Sequence, residues 1–499
     1  MRVAVSTMTV PARSVLPLVV AVVAYGFALS RGGGLLLDPD TYWHLATGQW
    51  MLAHLAVPHH DPFSLTMAGA PWVDHEWLSE LLMVFAYRAA GWTGLVLLAA
   101  LALALALGLL AQHLGRWLEP PATAMLVLLA AAAIMPGLLA RPHLIALPVM
   151  EAWAAGLVIA RARSRAPHWA LIPLMTLWAN LHGSFLVGLA LAGPLAIEAV
   201  FSAGAGRRRV ALRWGAFIGA SVLAACLTPN LLHGLVHPLQ VMRMPVTLAT
   251  VSEWRSPDFQ QLQPVELWVM AVLYVGLSRG VRLPVIRLLL LMGLVHAGLE
   301  HARNQILLGV IGPLIVAEPF GRFLREQDAA PSPNLPRIRI RAAAAVMALA
   351  LTLFAVLHPP ARTADAATPR AALDHVPPAL AGRPVFNSYD FGGYLIFRGL
   401  RPYVDGRADM YGDAFIAAYL KALQPDRDAL EAALRNHAIA WTLLKPDDGA
   451  VAVLDVLPGW QRFYADDVAV VHVRSNVLAA ERHENPAAVT AFAPARAEN

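Results

Sequence analysis

Residues 38–44 read D-P-D-T-Y-W-H and follow directly after the first apolar run of the chain. Their two carboxylates, Asp38 and Asp40, stand beside a stretch that is apolar enough to enter a membrane. A carboxylate in such a place is costly unless it has a partner or a function. Two further stretches rich in acid–base groups follow, H-H-D-P-F-S at 59–64 and P-W-V-D-H-E-W-L at 71–78. These motifs predict a functional loop near the start of the chain.

The composition indicates a membrane protein. Of the 499 residues, 58% are hydrophobic and 14% are charged, whereas soluble domains carry about 25% charged residues. The net charge of +5 does not indicate a nucleic-acid partner, because the arginines cluster between apolar runs. A single cysteine, Cys226, excludes an intrachain disulfide. Arg2 and Arg13 precede the first run without a small-residue cleavage site, which favours an uncleaved first span.

Apolar runs close to the length that crosses a bilayer, roughly 17–25 residues, recur along the chain. They predict about eleven transmembrane helices in a polytopic α-helical bundle. The runs lie near residues 13–30, 93–114, 121–139, 143–160, 168–182, 184–203, 210–228, 264–279, 284–299, 303–320 and 341–357.

Arginine clusters predict the orientation of these spans, because basic loops stay on the cytoplasmic side. The clusters lie at 161–165, 207–209, 279–287 and 322–341. They alternate correctly if residues 76–90 form an amphipathic helix on the outer membrane face. The alternative is that 76–90 crosses and that another short run, such as 121–139, does not.

The sequence predicts three regions. Residues 1–358 form the transmembrane bundle, with a first outer loop at 31–92. Residues 359–480 form an extracytoplasmic α/β domain, because they follow an odd number of spans, and residues 481–499 form a disordered tail. Within the α/β domain, the patterning predicts strands at 385–387, 403–407, 439–444 and 468–473 and helices at 415–423 and 428–437.

Asp38 and Asp40 are the candidate catalytic residues. Pro39 forbids a regular helix between them, so the two carboxylates point to different sides and have different tasks. One could act as a general base, while the other could orient an acceptor or bind a metal. The competing interpretation for Asp40 is a helix N-cap ahead of residues 41–50, which makes Asp38 the leading catalytic candidate.

The candidate substrate-binding residues are polar or aromatic groups that the topology assigns to the outer side. Arginine recognises phosphate through a planar fork of donors, and an anionic lipid carrier needs such a partner at the bilayer surface. Aromatic and acidic residues with glycines suit a surface that stacks on a sugar. The competing interpretations are turn residues, interfacial arginines and helix–helix hydrogen bonds. The set is His44, His59, His60, Asp61, His75, Glu76, Arg141, His143, Asn180, His182, Arg255, Arg303, Tyr389, Asp390, Asp405 and Arg407.

A protein-bound metal is left open. The first-loop histidines and acids match no closed zinc pattern and no H-E-x-x-H helix. No residue is therefore assigned as a metal ligand.

The combination of these motifs resembles the GT-C superfamily of membrane glycosyltransferases. That superfamily includes oligosaccharyltransferase catalytic subunits, protein O-mannosyltransferases and aminoarabinose transferases. The motifs D-P-D-T-Y-W-H-L, H-H-D-P-F-S and H-E-W-L are similar to those of uncharacterised bacterial membrane proteins placed near it. Residues 389–393, Y-D-F-G-G, resemble the aromatic-acidic-glycine motif of the oligosaccharyltransferases but lack their double tryptophan, so sequon recognition is not carried over.

The resemblance implies transfer of a hexose or pentose from a polyprenyl-phosphate-linked donor, with inversion, to a glycan, lipid or protein acceptor. It implies that a first-loop acid, Asp38 or Asp40, deprotonates or orients the acceptor. Some members use Mg²⁺ or Mn²⁺ and many do not. The expected location is the bacterial cytoplasmic membrane. The alternatives are a transporter or flippase for a lipid-linked or anionic solute, and a non-catalytic envelope scaffold.

Overall fold

The computed structural model describes residues 9–11, 15–325, 334–360, 362 and 367–484. Its helices are α1 (Leu16–Arg31), α2 (Asp40–His54), α3 (Trp77–Leu114), α4 (Pro120–Ile134), α5 (Pro142–Ala162), α6 (Ile172–Leu181), α7 (Phe185–Ser202), α8 (Arg207–Ala225), α9 (Leu231–Val241), α10 (Pro245–Thr250), α11 (Pro264–Arg279), α12 (Val285–Glu300), α13 (Gln305–Arg325), α14 (Arg337–Leu357), α15 (Arg370–His375), α16 (Pro378–Ala381), α17 (Gly392–Phe397), α18 (Ala408–Leu423), α19 (Arg427–Asn436), α20 (Gly449–Val456) and α21 (Ser475–Glu484). Its strands are β1 (Thr9–Pro11), β2 (Asn334–Pro336), β3 (Val385–Asn387), β4 (Trp441–Leu444), β5 (Trp460–Ala465) and β6 (Val470–Arg474).

The chain forms two compact units. Unit 1 comprises residues 1–36, 75–239 and 251–361, and unit 2 comprises residues 37–74, 240–250 and 362–499. The first-loop segment 37–74 thus belongs with the C-terminal part of the chain, whereas the sequence analysis grouped it with the bundle. The predicted boundaries at 358 and 480 stay predictions. Residues 481–484 continue α21, and residues 485–499 of the predicted tail lie outside the described part.

Unit 1 is a helical bundle. All eleven predicted apolar runs coincide with helices. Within the described residues, seven helices are long and apolar enough to cross a membrane, which is the pattern of a multi-pass membrane protein. Four others, α6, α8, α11 and α12, do not meet that criterion, so the predicted number of spans stays a prediction. Trp268, Leu291 and Leu308 pack together where α11, α12 and α13 meet.

Helix α3 is broken near its first third. Ala90 and Gly91 have non-helical backbone angles, and Gly91 has φ 57°, a conformation that favours glycine. A side chain at Gly94 would lie 1.9 Å from the carbonyl oxygen of Ala86, so the two segments approach closely at the break. The segment before the break is about 20 Å long, less than the roughly 30 Å of a bilayer core. This length is consistent with a surface helix at 76–90, which stays a prediction.

Unit 2 contains a four-stranded sheet with the order β3-β4-β6-β5. Strands β3 and β4 are parallel, and the other pairs are antiparallel. Every residue of β3 and β4 is buried, as expected for strands that are covered on both faces. Strands β3, β4 and β6 and helix α19 match predicted elements within two residues, while α18 ends at the predicted residue but begins seven residues earlier, at Ala408. Strand β5 was not predicted.

The predicted strand at residues 403–407 is wrong, because the segment is a turn. Its backbone groups bond to a side chain and to the first loop. The N–H of Tyr403 donates to Asn387 Oδ1 at 2.8 Å, and Asn387 Nδ2 donates to the Val404 carbonyl at 2.8 Å. Thr66 Oγ1 donates to the Tyr403 carbonyl at 2.6 Å. The buried backbone is therefore satisfied without a strand partner.

Candidate functional site

Asp38 and Asp40 occupy different positions at the start of α2 in unit 2. Asp38 is 6% exposed, and its Oδ1 accepts the backbone N–H of Asp40 at 2.7 Å. Asp40 lies in the first turn of the helix and is partly exposed, and its Oδ1 accepts the indole N–H of Trp43 at 3.0 Å. The cap-like role that the sequence analysis considered for Asp40 therefore falls to Asp38, which bonds the first helical N–H.

Two glycines let the backbone approach this acidic pair. A side-chain carbon at Gly393 would lie 2.6 Å from the carbonyl oxygen of Pro39, and one at Gly406 would lie 2.0 Å from Asp40 Oδ1. Neither space admits another residue without movement. Gly393 of the Y-D-F-G-G motif and Gly406 of the 404–407 turn are thus required by their contact with the first loop.

Tyr389 stands beside the same turn. Its hydroxyl donates to the Gly406 carbonyl at 3.1 Å. Burial and the negative charge of Asp40 raise the pKa of Tyr389 well above its usual value, so the phenol remains a donor at neutral pH. The neighbouring Asp390 is ion-paired with Lys445.

Asp61, Asp405 and Arg407 form a buried ion-pair network in unit 2. Arg407 is 1% exposed; its Nε and Nη2 donate to the two oxygens of Asp405 at 2.8 and 2.7 Å, and its Nη1 donates to Asp61 at 2.7 Å. Burial opposes the charge of Arg407, but Asp405 outweighs it and raises the pKa of the guanidinium. The Tyr411 hydroxyl also donates to Asp405 at 2.7 Å. These contacts favour a structural role for the three residues.

The histidines of the first loop do not gather in one place. His44 is buried, and its ring lies 3.7 Å from that of Trp43, centroid to centroid. His59 and His60 are exposed. The carbonyl of His59 accepts the N–H of Trp72 at 2.9 Å, and His60 forms a bridge with Pro71. The placement of His59 and His60 matches the turn interpretation.

Unit 1 contains a second group of predicted residues, which we call the histidine–arginine cluster. Its centre is Glu76, whose Oε1 lies 3.3 Å from His182 Nε2 and 3.8 Å from His75 Nε2. The ring of His143 lies 6.2 Å from that of His182. The cluster comprises His75, Glu76, Arg141, His143, His182, Glu253 and Arg303.

Two arginines and Glu253 form the charged part of this cluster. Arg141 is ion-paired with Glu253, and Arg303 lies over the Trp254 ring at 4.3 Å. Burial opposes ionisation of Glu253, but the charges of Arg141 and Arg303 outweigh it and lower the pKa of the carboxyl to about 2. The predicted Arg255 is exposed, and its carbonyl accepts the Ala302 N–H at 2.9 Å.

Asn180 holds elements of unit 1 together. Its Oδ1 accepts the indole N–H of Trp77 at 2.7 Å, and its Nδ2 donates to the carbonyls of Thr176 at 2.7 Å and Leu227 at 3.0 Å. Because the amide makes three bonds within the protein, this placement matches the helix–helix interpretation.

The sequence analysis did not select His237, Glu253 or Trp254 as site residues. The ring of His237 lies 5.4 Å from that of His75. Glu253 and Trp254 stood in a predicted outer loop beside Arg255, so an acidic–aromatic–basic run between apolar stretches was an available signal. His237 lies inside an apolar helix, and only the packing reveals its neighbour.

A bound metal ion needs several donor side chains that point to one place. Within the described residues, no three His, Cys, Asp or Glu side chains are placed to hold one ion. We therefore derive no chemical step through a metal.

These features define a class of fold, an apolar helical bundle joined to a small α/β unit. Comparison with known proteins identifies that fold. The chain resembles the archaeal oligosaccharyltransferase AglB from Archaeoglobus fulgidus in complex with an inhibitory peptide and a dolichol-phosphate, with a TM-score of 0.50 and 10% identity over 92% of this chain and 74% of that one. It also resembles the apo oligosaccharyltransferase of Archaeoglobus fulgidus, with a TM-score of 0.50 and 11% identity over 85% and 69% of the two chains.

No family model and no curated protein matches the sequence. The expected likeness in fold to the oligosaccharyltransferases is confirmed, and at 10–11% identity it shows the fold alone.

Proposed function

We propose that this protein is a membrane glycosyltransferase that moves a sugar from a polyprenyl-phosphate-linked donor to an acceptor at the outer face of the bacterial cytoplasmic membrane. The fold is the observation that carries this proposal. One of the similar archaeal structures contains a dolichol-phosphate and an inhibitory peptide. A protein of this fold thus holds a lipid phosphate and a peptide.

Asp40 is the proposed base. Its carboxylate is partly exposed, whereas that of Asp38 is buried and bonded to the helix backbone. The Trp43 indole and the Gly406 backbone hold the Asp40 carboxylate in one orientation, which favours catalysis. In the proposed step, Asp40 takes the proton of the acceptor, and the acceptor atom bonds to the anomeric carbon. The bond from that carbon to the phosphate oxygen breaks, and the configuration inverts.

The histidine–arginine cluster of unit 1 is proposed, on its own chemistry, to bind a phosphate group. Arg141 and Arg303 both lower the pKa of Glu253, so two guanidiniums lie near the same carboxylate. Arginine binds phosphate through paired donors.

The test is the substitution Asp40→Asn in the full-length protein. Asparagine keeps an oxygen that can accept the Trp43 N–H, so the fold is retained while the base is lost. We expect transfer to fall by about 10²–10⁴-fold, the usual contribution of a general base. The readout is a comparison of envelope glycolipids and glycoproteins in cells that carry the wild type, the variant or no copy.

Asp413→Asn is the control for loss of a carboxylate at the start of a helix, because Asp413 accepts the backbone N–H groups of Val246 and Thr247 in α10. It should leave transfer unchanged. If cells with Asp40→Asn and Asp38→Asn together keep the wild-type glycans, the transferase proposal fails. Reconstituted transport of a labelled lipid-linked sugar without transfer would instead support the transporter alternative.

A further inference from the structure

A groove of about 1520 Å³ lies in unit 1 between α1, α3 and α14. Most of its lining is alanine and leucine. Its polar lining residues include Gln112 and Arg116 near the end of α3 and Arg341 near the start of α14. The groove is thus apolar along its length and basic at one end.

Helices α1 and α3 pack closely against each other and form the floor of the groove. A side-chain carbon at Gly108 would lie 3.0 Å from the Ala21 side chain, so α1 and α3 are in close contact along the floor. Helix α14 touches α1 through the Tyr25 and Thr352 hydroxyls, which are 2.8 Å apart. The lining of α1 and of α14 ends at these two residues, whereas the lining of α3 continues to Ala86. The groove is therefore closed along its floor, and α1 and α14 meet where their parts of the lining end.

The part of the groove that α14 lines is about as long as one membrane leaflet is thick. From Arg341 to Thr352, α14 rises about 17 Å, and half of a bilayer core is about 15 Å. An acyl chain of one leaflet could therefore run along all three helices while its headgroup stays at the arginine end. Arginine is suited to a phosphate because it offers paired donors.

We propose that this groove binds an anionic glycerophospholipid of the surrounding membrane. Its acyl chains lie along α1, α3 and α14, and its headgroup phosphate contacts Arg116 and Arg341. The inference is independent of the proposed transferase activity, because none of these residues belongs to the acidic pair or to the histidine–arginine cluster.

The test adds phosphatidylglycerol or phosphatidylcholine to the full-length protein in detergent. Native mass spectrometry counts the bound lipid, and the thermal midpoint reports stabilisation. We expect phosphatidylglycerol to bind more tightly and to raise the midpoint more. The double variant Arg116→Gln/Arg341→Gln should weaken this binding by about tenfold or more, and Ala345→Trp, which fills the groove, should also weaken it.

Two matched control variants distinguish binding in the groove from a general effect of lost positive charge or added bulk. Arg208→Gln removes an exposed arginine of α8, and Ala343→Trp adds the same bulk on α14 at a position that does not line the groove. Both should bind phosphatidylglycerol like the wild type. Equal binding of the two lipids, or unchanged binding by the double variant, overturns the proposal. Competitive displacement by a polyprenyl phosphate also overturns it, because the groove would then hold the donor chain.

Discussion

Replacement of Arg407 by methionine should strongly destabilise unit 2. In the wild type the Arg407 guanidinium is ion-paired with two buried carboxylates, those of Asp61 and Asp405. Methionine retains much of the apolar volume but removes the charge and three donors. Two carboxylates then remain buried without their cation, which is far less favourable than the absence of the whole network.

The magnitude follows from the burial of all three side chains, each of which is 1% exposed or less. Removal of one partner from a buried ion pair costs about 3–5 kcal/mol. A unit of this size loses about 2–4 °C of thermal midpoint per kcal/mol. The expected decrease is therefore about 6–20 °C.

The assay is thermal unfolding of the full-length protein in detergent, followed by intrinsic fluorescence. Arg401→Met is the matched control. Among the described residues Arg401 donates to the carbonyl of Ser64 alone, at 3.0 and 3.3 Å, so its removal leaves no described carboxylate without a cation. It should cost about 1 kcal/mol. If the Arg407 and Arg401 variants unfold at the same temperature, the buried network does not stabilise the unit as argued.

Three further predictions concern other parts of the molecule. Because the pKa of Glu253 is lowered to about 2 in the folded protein, the ionised carboxyl stabilises the fold fully above pH 4.5, and this stabilisation is lost as the pH falls toward 2. Glu253→Gln should therefore lower the thermal midpoint at pH 7 and make the midpoint decrease less on acidification. Arg287→Met should lower the thermal midpoint by more than Arg322→Met, because Arg287 is buried between Glu198 and Glu318, while Arg322 is exposed and, in the described part of the chain, is ion-paired with Glu318 alone. Gly406→Ala should reduce transfer, because its new carbon would displace the Asp40 carboxylate, while Gly382→Ala, with no neighbour closer than 3.9 Å, should not.

The helices of the bundle were predictable because a helix that crosses a membrane needs a long apolar run. The run at 143–160, for example, matches α5 to within two residues at each end. The turn at 403–407 was not predictable from its alternating pattern. Its backbone is satisfied by the Asn387 side chain and by Thr66, which is more than 300 residues away in sequence.

The candidate site was partly predictable, because the apolar runs also mark the polar loops between them. Polar residues between apolar runs were easy to find, and the structure brings Glu76, Arg141 and His182 into one cluster. The sequence favoured Asp38 as the catalytic residue and Asp40 as the cap, whereas the structure gives the cap-like bond to Asp38. The roles depend on which of the two carboxylates accepts the first helical N–H. The spacing of the two residues in the sequence is compatible with either carboxylate.

The buried network and the acidic pair are linked through one turn. Arg407 and Asp405 flank Gly406, and their paired bonds fix the backbone between them. That backbone lies against the Asp40 carboxylate and accepts the Tyr389 hydroxyl. The charges of Asp405 and Arg407, predicted to bind substrate, are thus used to position the turn on which Asp40 rests. Asp405 and Arg407 would then affect transfer by fixing the orientation of Asp40. The rigid placement of this one partly exposed carboxylate explains why unit 2 buries so much charge beside it.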